Sequence, residues 1–286
     1  MTQALVERAE RACAAAHCEE AIGLLEQLAP QQPGNYNLYF TLGLCASGGC
    51  RKHSQVSPEM AATYLRKALQ LLGTGGGVAR AAILDALGNA LARTKGEARA
   101  EALHAAIAHQ GEAAAIYQEH RESDDWARVQ FNLGNSLCDL SEATGEDHWR
   151  EAVSHYEQSL RVRTRRKDPE RHAAVLENLG SACRRVDVRR AIRCYQRALL
   201  IYEKVRNPVH KAAAIENNLG NAYLSLPETS RRTAIRNASR ALYHFDRALR
   251  LEAQDPDRDT YAIVQQNRAQ ACARLTRILP KTLPSL

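Results

Sequence analysis

A run of glycines offers the chain's most direct resemblance to a binding loop. Residues 73–77 read Gly-Thr-Gly-Gly-Gly and precede a predicted helix. Backbone amides of glycines at the start of a helix can bind phosphate. A phosphate-binding loop also needs a preceding strand and a closing Gly-Lys-Ser/Thr, and the sequence has neither at this place. We therefore interpret the run as a flexible connection between two helices.

Cysteine and histidine are grouped twice near the N-terminus, which raises the question of a zinc site. The two groups are Cys13, His17 and Cys18, and Cys45, Cys50 and His53. A structural zinc site needs four converging ligands, whereas these residues lie on or beside separate predicted helices. Free cysteine is also a common small core residue. We predict no metal site, and we expect the eight cysteines to be reduced because they are too sparse for a disulfide scaffold.

The sequence carries no recognisable catalytic motif. It has no His-Glu-x-x-His, no Gly-x-Ser-x-Gly and no carboxylate pair on an identifiable scaffold. We therefore predict a protein that is not an enzyme and has no cofactor.

Composition limits the fold class and the compartment. Apolar residues make up 45% of the 286 residues and aromatic residues only 5%, which excludes general disorder and disfavours a large sheet. No apolar run is long enough to span a membrane. Glu7, Arg8, Glu10 and Arg11 lie where a secretory signal would need apolar residues. We expect a cytoplasmic protein with no membrane segment.

Two short signatures recur along the chain. The first is Leu-Gly followed by a small or polar residue, with its glycine at positions 43, 88, 134, 180 and 220 and a degenerate copy at Ala269. The second has small, large and small residues at offsets of zero, four and seven, which share one face of a helix. Its copies are Ala21/Leu25/Leu28, Ala61/Leu65/Ala68, Ala113/Tyr117/His120, Ala152/Tyr156/Ser159, Ala191/Tyr195/Ala198 and Ala241/Phe245/Ala248. Each repeat is therefore predicted to be a pair of helices.

The repeated glycine predicts close helix packing. Glycine inside a helix costs roughly 0.5–1 kcal/mol relative to alanine, so its recurrence indicates that a neighbouring helix leaves no room for a side chain. We expect the large residue of the second helix to fill the space beside it. Stacked pairs then cover one another as a solenoid. The predicted helices span 3–14, 18–29, 35–47, 57–72, 78–94, 97–121, 125–141, 148–165, 170–185, 188–204, 209–225, 230–252 and 258–278.

At these signatures the chain resembles the tetratricopeptide repeat (TPR) family. The stretch EEAIGLLEQLAPQQPGNYNLYFTLG has the 34-residue register of that family, with Ala21, Pro33 and Gly43 in place. The longer later repeats resemble a bacterial subclass found beside CHAT protease domains, and those of kinesin light chains. The resemblance implies an all-α, right-handed superhelical solenoid of about six antiparallel helix pairs and a closing helix. It would cover residues 1–279, with shorter repeats in 1–72, lengthened repeats in 78–279 and a short tail at 280–286.

The TPR resemblance also implies which residues line a peptide-binding groove. In that family the residue after the glycine of the first helix faces the concave surface, and carboxamides there hold the main chain of a bound peptide. By this resemblance Asn89, Asn135, Asn221 and Gln270 form a ladder that Ser181 interrupts. The same helix surface would carry Asn217, Glu177, Arg184 and Arg185. Four asparagines one turn earlier are instead expected to bridge neighbouring helices, namely Asn132, Asn178, Asn218 and Asn267.

Charge is distributed unevenly along the chain. Residues 1–143 hold 12 basic and 16 acidic residues, whereas residues 144–286 hold 27 and 16, and the net charge is +7. Such an excess attracts acidic proteins or nucleic acid. Few aromatic residues accompany the arginines, so the stacking platform of a single-strand binder is missing.

The sequence as a whole predicts a non-catalytic adaptor that binds a protein or peptide, possibly acidic, in a concave groove. Three other functions stay open. They are a regulatory subunit of a separately encoded enzyme such as a protease, a nucleic-acid-binding solenoid and a self-assembling scaffold. The oligomeric state and the identity of the partner do not follow from the residues.

Overall fold

The computed structural model describes residues 2–15, 17–47, 57–121, 123–205, 209–253 and 258–279, and these form α helices and no strand. The thirteen described helices are α1 Thr2–Ala14, α2 Cys18–Leu28, α3 Tyr36–Ala46, α4 Pro58–Leu72, α5 Gly77–Leu91, α6 Arg99–Glu119, α7 Ser123–Thr144, α8 Trp149–Val162, α9 Pro169–Val186, α10 Val188–Tyr202, α11 Val209–Leu224, α12 Arg231–Glu252 and α13 Arg258–Ile278. The predicted all-α class is confirmed, and every helix end lies within three residues of its predicted place.

The chain divides into two compact units, Met1–His148 and Trp149–Leu286. In the first unit α1 packs on α2, α3 on α4 and α5 on α6, and α7 packs on α6. In the second unit α9 packs on α10 and α11 on α12, with α8 against α9 and α13 against α12. The predicted stacking of helix pairs, with α13 as a closing helix, is confirmed within each unit. The predicted change in repeat length between residues 72 and 78 stays a prediction.

Side-chain caps explain why several helices begin where they do. Each capping oxygen accepts a hydrogen bond from a backbone amide of the first turn, which stabilises a helix by about 1 kcal/mol. The capping residues are Asn35, Ser57, Asp168, Asp187 and Ser230, before α3, α4, α9, α10 and α12 respectively. Ser230 and Thr233 form a reciprocal capping box. Short polar residues in the connections therefore fix the start of these helices.

The close helix packing predicted from the glycines is confirmed at three repeats. A Cβ atom placed on Gly43 would lie 2.6 Å from Leu65 Cδ2, and one on Gly180 would lie 2.6 Å from Tyr195 Cε1. On Gly220 it would lie 2.7 Å from Phe245 Cδ1. All three large residues are fully buried on the second helix of the pair. Glycine is therefore required so that this side chain can lie against the first helix.

The repeat at Gly88 corrects one prediction. The residue that packs on Gly88 is Gln110, whose Cγ would lie 2.6 Å from an added Cβ, and not Tyr117. The signature in α6 is therefore Ala106/Gln110/Ala113, two turns earlier than Ala113/Tyr117/His120. Glutamine breaks an apolar pattern, so the register appeared shifted to the next aromatic residue. Tyr117 belongs to a separate buried cluster that includes Leu84, Val129 and Leu133.

The glycine-rich connection before α5 is a turn that only glycine adopts easily. Gly73 and Gly76 have φ values of 74° and 95°, which side chains with a Cβ disfavour. Arg80 Nη1 donates a hydrogen bond of 2.8 Å to the Gly73 carbonyl. These observations agree with the interpretation of the run as a connection between helices.

The cysteines differ in part from the prediction. Cys18 takes part in a disulfide bond, so the expectation that all cysteines are reduced is wrong. Spatial neighbours 30 or more residues apart cannot be read from the spacing of cysteines. Cys13 and Cys45 are free thiols whose Sγ atoms lie 3.6 Å apart, and Cys50 and His53 lie outside the described residues. Within the described ranges no group of three or more histidine, cysteine and acidic residues is placed to hold a metal ion.

Length and hydropathy of the helices were also compared with what a bilayer requires. Among the helices of the described residues, none combines sufficient length with sufficient apolar character to cross a membrane.

Candidate functional site

The candidate site residues lie on the first helices of the pairs, here called A helices, and the second helices are called B helices. The A helices are α5 and α7 in the first unit and α9, α11 and α13 in the second. In the second unit α11 contacts both α9 and α13 directly, so the A helices form a continuous layer there. Side chains on this layer are close enough to act together.

A buried carboxylate organises the polar side chains of the first unit. Asp85 on α5 is only 1% exposed and forms an ion pair with Arg128 of α7. Asn132 Nδ2 donates to Asp85 Oδ1 at 2.9 Å, and Asn89 Nδ2 donates to the same oxygen at 3.4 Å. Buried charge is costly unless it is paired and hydrogen-bonded. Asp85 meets both conditions, and it holds α5 and α7 in register.

Gln110 extends this network to the B helix. Its Nε2 donates to Asn89 Oδ1 at 3.1 Å, and its Oε1 accepts from Ser136 Oγ at 2.9 Å. The Gln110 side chain is completely buried, and these bonds satisfy both ends of its amide. Asn89, predicted to face a groove, therefore has both its donor and its acceptor occupied inside the protein.

Asparagines link neighbouring A helices at one repeated position. Asn267 Nδ2 on α13 donates to Asn217 Oδ1 on α11 at 2.9 Å. Relative to the glycine, or to Ala269, this pair has the same register as Asn132 and Asp85 in the first unit. The predicted bridging role of Asn132 and Asn267 is confirmed. Asn178 and Asn218 stay predictions.

An open groove of about 590 Å³ lies between α11 and α13. Gln270, predicted to bind peptide, lines it together with Leu224, Glu228, Ala273, Arg274 and Arg277. Arg274 donates to the Leu224 carbonyl at 2.9 Å and lies 2.6 Å from Glu228, so its position is fixed. Arg277 is exposed and has no carboxylate partner among the described residues. The groove thus offers an amide, a free cation and apolar surface.

Asn221 lies one turn before Leu224 on α11, at the edge of this groove. Its side chain is half-buried and makes no hydrogen bond to a described residue. The corresponding Ser181 on α9 bonds to the Tyr195 hydroxyl at 3.0 Å. Phe245 replaces that tyrosine beside α11 and has no hydroxyl, which leaves the carboxamide of Asn221 available.

Three further predicted residues lie on α9. Burial raises the pKa of the half-buried Glu177 carboxyl, while the positive charge of Lys211 opposes that rise. The Arg185 guanidinium lies 5.4 Å from the ring centroid of Trp149. Arg184 is half-buried, and its charge acts to lower the pKa of Tyr195, which burial raises. Their role in binding stays a prediction.

The two units place the carboxamides predicted to form a ladder differently. Asn221 and Gln270 come together on neighbouring A helices of the second unit. Asn135 in the first unit follows Gly134 on α7 and is half-buried. Asn89 is part of the internal network.

Sequence reasoning missed a second buried acidic group. Glu216 on α11 is fully buried and lies 2.6 Å from His244 Nδ1 and 3.0 Å from Arg247 Nε. The signal was available, because Asp85 and Glu216 each interrupt an apolar helix stretch three or four residues before the glycine. A carboxylate at that place predicts a buried ion pair with another helix.

Comparison with known proteins supports the fold. No family model matches the chain, and no curated protein matches it. Among solved structures, the apo form of RapI superimposes with a TM-score of 0.65 at 15% identity, covering 92% of this chain and 71% of that one. The TPR-like repeats of a putative kinesin light chain from Podosopora anserina give a TM-score of 0.57 at 16% identity, covering 78% and 97%. The C-terminal part of a TPR repeat-containing protein from Cytophaga hutchinsonii gives 0.56 at 12% identity, covering 96% and 95%. The fold of this chain is therefore that of the tetratricopeptide repeat proteins.

Proposed function

We propose that the chain is a non-catalytic adaptor that binds a segment of a partner protein in the groove between α11 and α13. The observation that carries the proposal is the free carboxamide of Asn221 at the edge of a groove that Gln270 lines. A carboxamide offers a donor and an acceptor, which matches the hydrogen-bonding groups of a peptide main chain. Arg277 adds a charge that favours an acidic side chain on the bound segment.

The size and chemistry of the groove support this proposal. A volume of about 590 Å³ lies within the range of about 300–1,000 Å³ typical of ligand pockets. Leu224 and Ala273 supply apolar contact, and the fixed Arg274 and Glu228 define one wall. The structural similarity to TPR proteins, in which helix pairs present extended binding surfaces, agrees with a general adaptor role.

Removing the carboxamides should weaken peptide binding without unfolding the protein. We expect the variant Asn221→Ala/Gln270→Ala to bind about tenfold more weakly, because each lost hydrogen bond contributes about 0.5–1.5 kcal/mol. The probe is a peptide selected from a displayed random library on the intact chain, titrated by fluorescence anisotropy. Asn37→Ala is the matched control, since Asn37 is an exposed asparagine on the A helix α3.

Two outcomes would contradict the proposal. One is equal affinity of the selected peptide for the wild type and the double variant. The other is an equal loss of affinity in Asn37→Ala. Thermal melting followed by circular dichroism shows whether either variant is unfolded, and we expect both to melt close to the wild type.

A further inference from the structure

We infer that the exposed arginine faces of α10 and α12 form a second binding surface, which takes an acidic polypeptide segment that also carries apolar side chains. This surface lies on B helices, whereas the proposed peptide groove lies between A helices. The two sites can therefore be tested separately.

The face on α10 consists of three arginines spaced by four residues. Arg189, Arg193 and Arg197 share one side of the helix and are all exposed. The helix contains no acidic residue. Arg193 approaches Asp187 only to 4.0 Å, and the described residues include no carboxylate within ion-pair distance of Arg189 or Arg197. The positive charge of this face is thus largely uncompensated.

The face on α12 continues the same chemistry. Arg232 and Arg236 are exposed, are four residues apart and have no carboxylate partner among the described residues. Farther along the helix, Arg247 Nη2 donates to Glu203 Oε1 at 3.1 Å. Because Glu203 directly follows α10, this bond brings α12 beside α10. The arginines of both helices therefore belong to one surface.

Two large apolar side chains lie among these arginines. Leu200 on α10 and Tyr243 on α12 are each 55% exposed. Leu200 is three residues after Arg197, and Tyr243 is seven residues after Arg236, so each shares the face of its helix with an arginine. Arginine and tyrosine are enriched at protein interfaces and in their energetic hot spots. The surface thus combines charge with sites for apolar contact.

Charge complementarity selects an acidic partner. The unit Trp149–Leu286 holds 27 basic and 14 acidic residues, so its field attracts polyanions. A nucleic-acid backbone has phosphates but no aliphatic groups to cover Leu200 and Tyr243. A polypeptide with acidic residues one helical turn apart and apolar residues between them satisfies both features.

A labelled peptide with glutamates four residues apart and leucines between them tests the inference. We expect Arg189→Glu/Arg197→Glu to bind it at least about tenfold more weakly than the full-length wild type, because two ion pairs are replaced by repulsion. The matched control is Arg165→Glu/Arg166→Glu, which makes the same charge change at exposed positions between α8 and α9. Arg189→Gln/Arg197→Gln provides a second variant if the first one melts early.

Each further measurement decides between occupants. Equal loss in the control would overturn the inference, because it would reduce the effect to net charge. Tighter binding of a DNA duplex than of the peptide, with a steep salt dependence, would overturn it in favour of nucleic acid. Leu200→Ala/Tyr243→Ala should weaken the leucine-containing peptide and not polyglutamate, and no difference between the two would contradict the apolar part. Asn221→Ala should leave this binding unchanged, whether or not the groove binds peptide.

Discussion

Replacing Gly220 with alanine should lower the free energy of unfolding by about 1–3 kcal/mol, the usual cost of overpacking a core. The new Cβ would lie 2.7 Å from Phe245 Cδ1, well inside normal contact distance. Phe245 is completely buried on α12, so it has no open space into which to move. The helices must therefore separate, which weakens the packing of α11 on α12. Chemical denaturation followed by circular dichroism measures the change.

Gly111 provides the control for this experiment. It also lies inside a helix, α6, but no atom of another residue lies within 4 Å of the place where its Cβ would be. Gly111→Ala should therefore stabilise the protein by about 0.5–1 kcal/mol, because alanine loses less chain entropy in a helix. The account predicts opposite signs for the two substitutions. A stabilising effect of Gly220→Ala would refute the close-packing explanation of the repeated glycine.

Replacing Asp85 with alanine should destabilise the protein by about 3–5 kcal/mol, the cost of breaking a buried ion pair. Asp85 accepts hydrogen bonds from both Arg128 and Asn132 of α7, and its removal leaves these donors without their main acceptor. The contact of α5 with α7 then loses its polar centre. The measurement is the denaturation midpoint of the intact chain.

Asp125 is the matched control, because it binds the same arginine from the surface. Arg128 Nη2 donates to Asp125 Oδ1 at 2.7 Å, but the Asp125 side chain is 44% exposed, against 1% for Asp85. Asp125→Ala should cost at most about 1 kcal/mol, as is usual for exposed ion pairs. If both substitutions cost the same, burial does not determine the strength of this network.

The periodic part of the fold was predictable from the sequence, because it depends on local spacing. Glycine at intervals of 40–46 residues, with alanines at helical offsets, fixes where helices approach closely. The register of α6 was not predictable in this way. Gln110 is buried because Asn89 and Ser136 satisfy its amide, and both lie on other helices. A pattern based on apolar residues cannot identify such a position.

The candidate site was predictable only in part, for a similar reason. Asn89 and Asn221 occupy the same place after the glycine, yet Asn89 is bonded inside the protein and Asn221 is not. The difference arises from the B-helix residue beside each glycine, Gln110 in one repeat and Phe245 in the other. The spacing of the motif identifies the candidates, and contacts between helices decide which of them is free to bind.

Photocrosslinking from the groove tests the proposed function most directly. A benzophenone amino acid replaces Ala273, which is exposed and lines the groove, or Ala115, an exposed alanine on α6. The account predicts that the selected peptide crosslinks to the protein from position 273 and not from position 115. Crosslinking from position 115 alone, or from neither position while the peptide is bound, would contradict it.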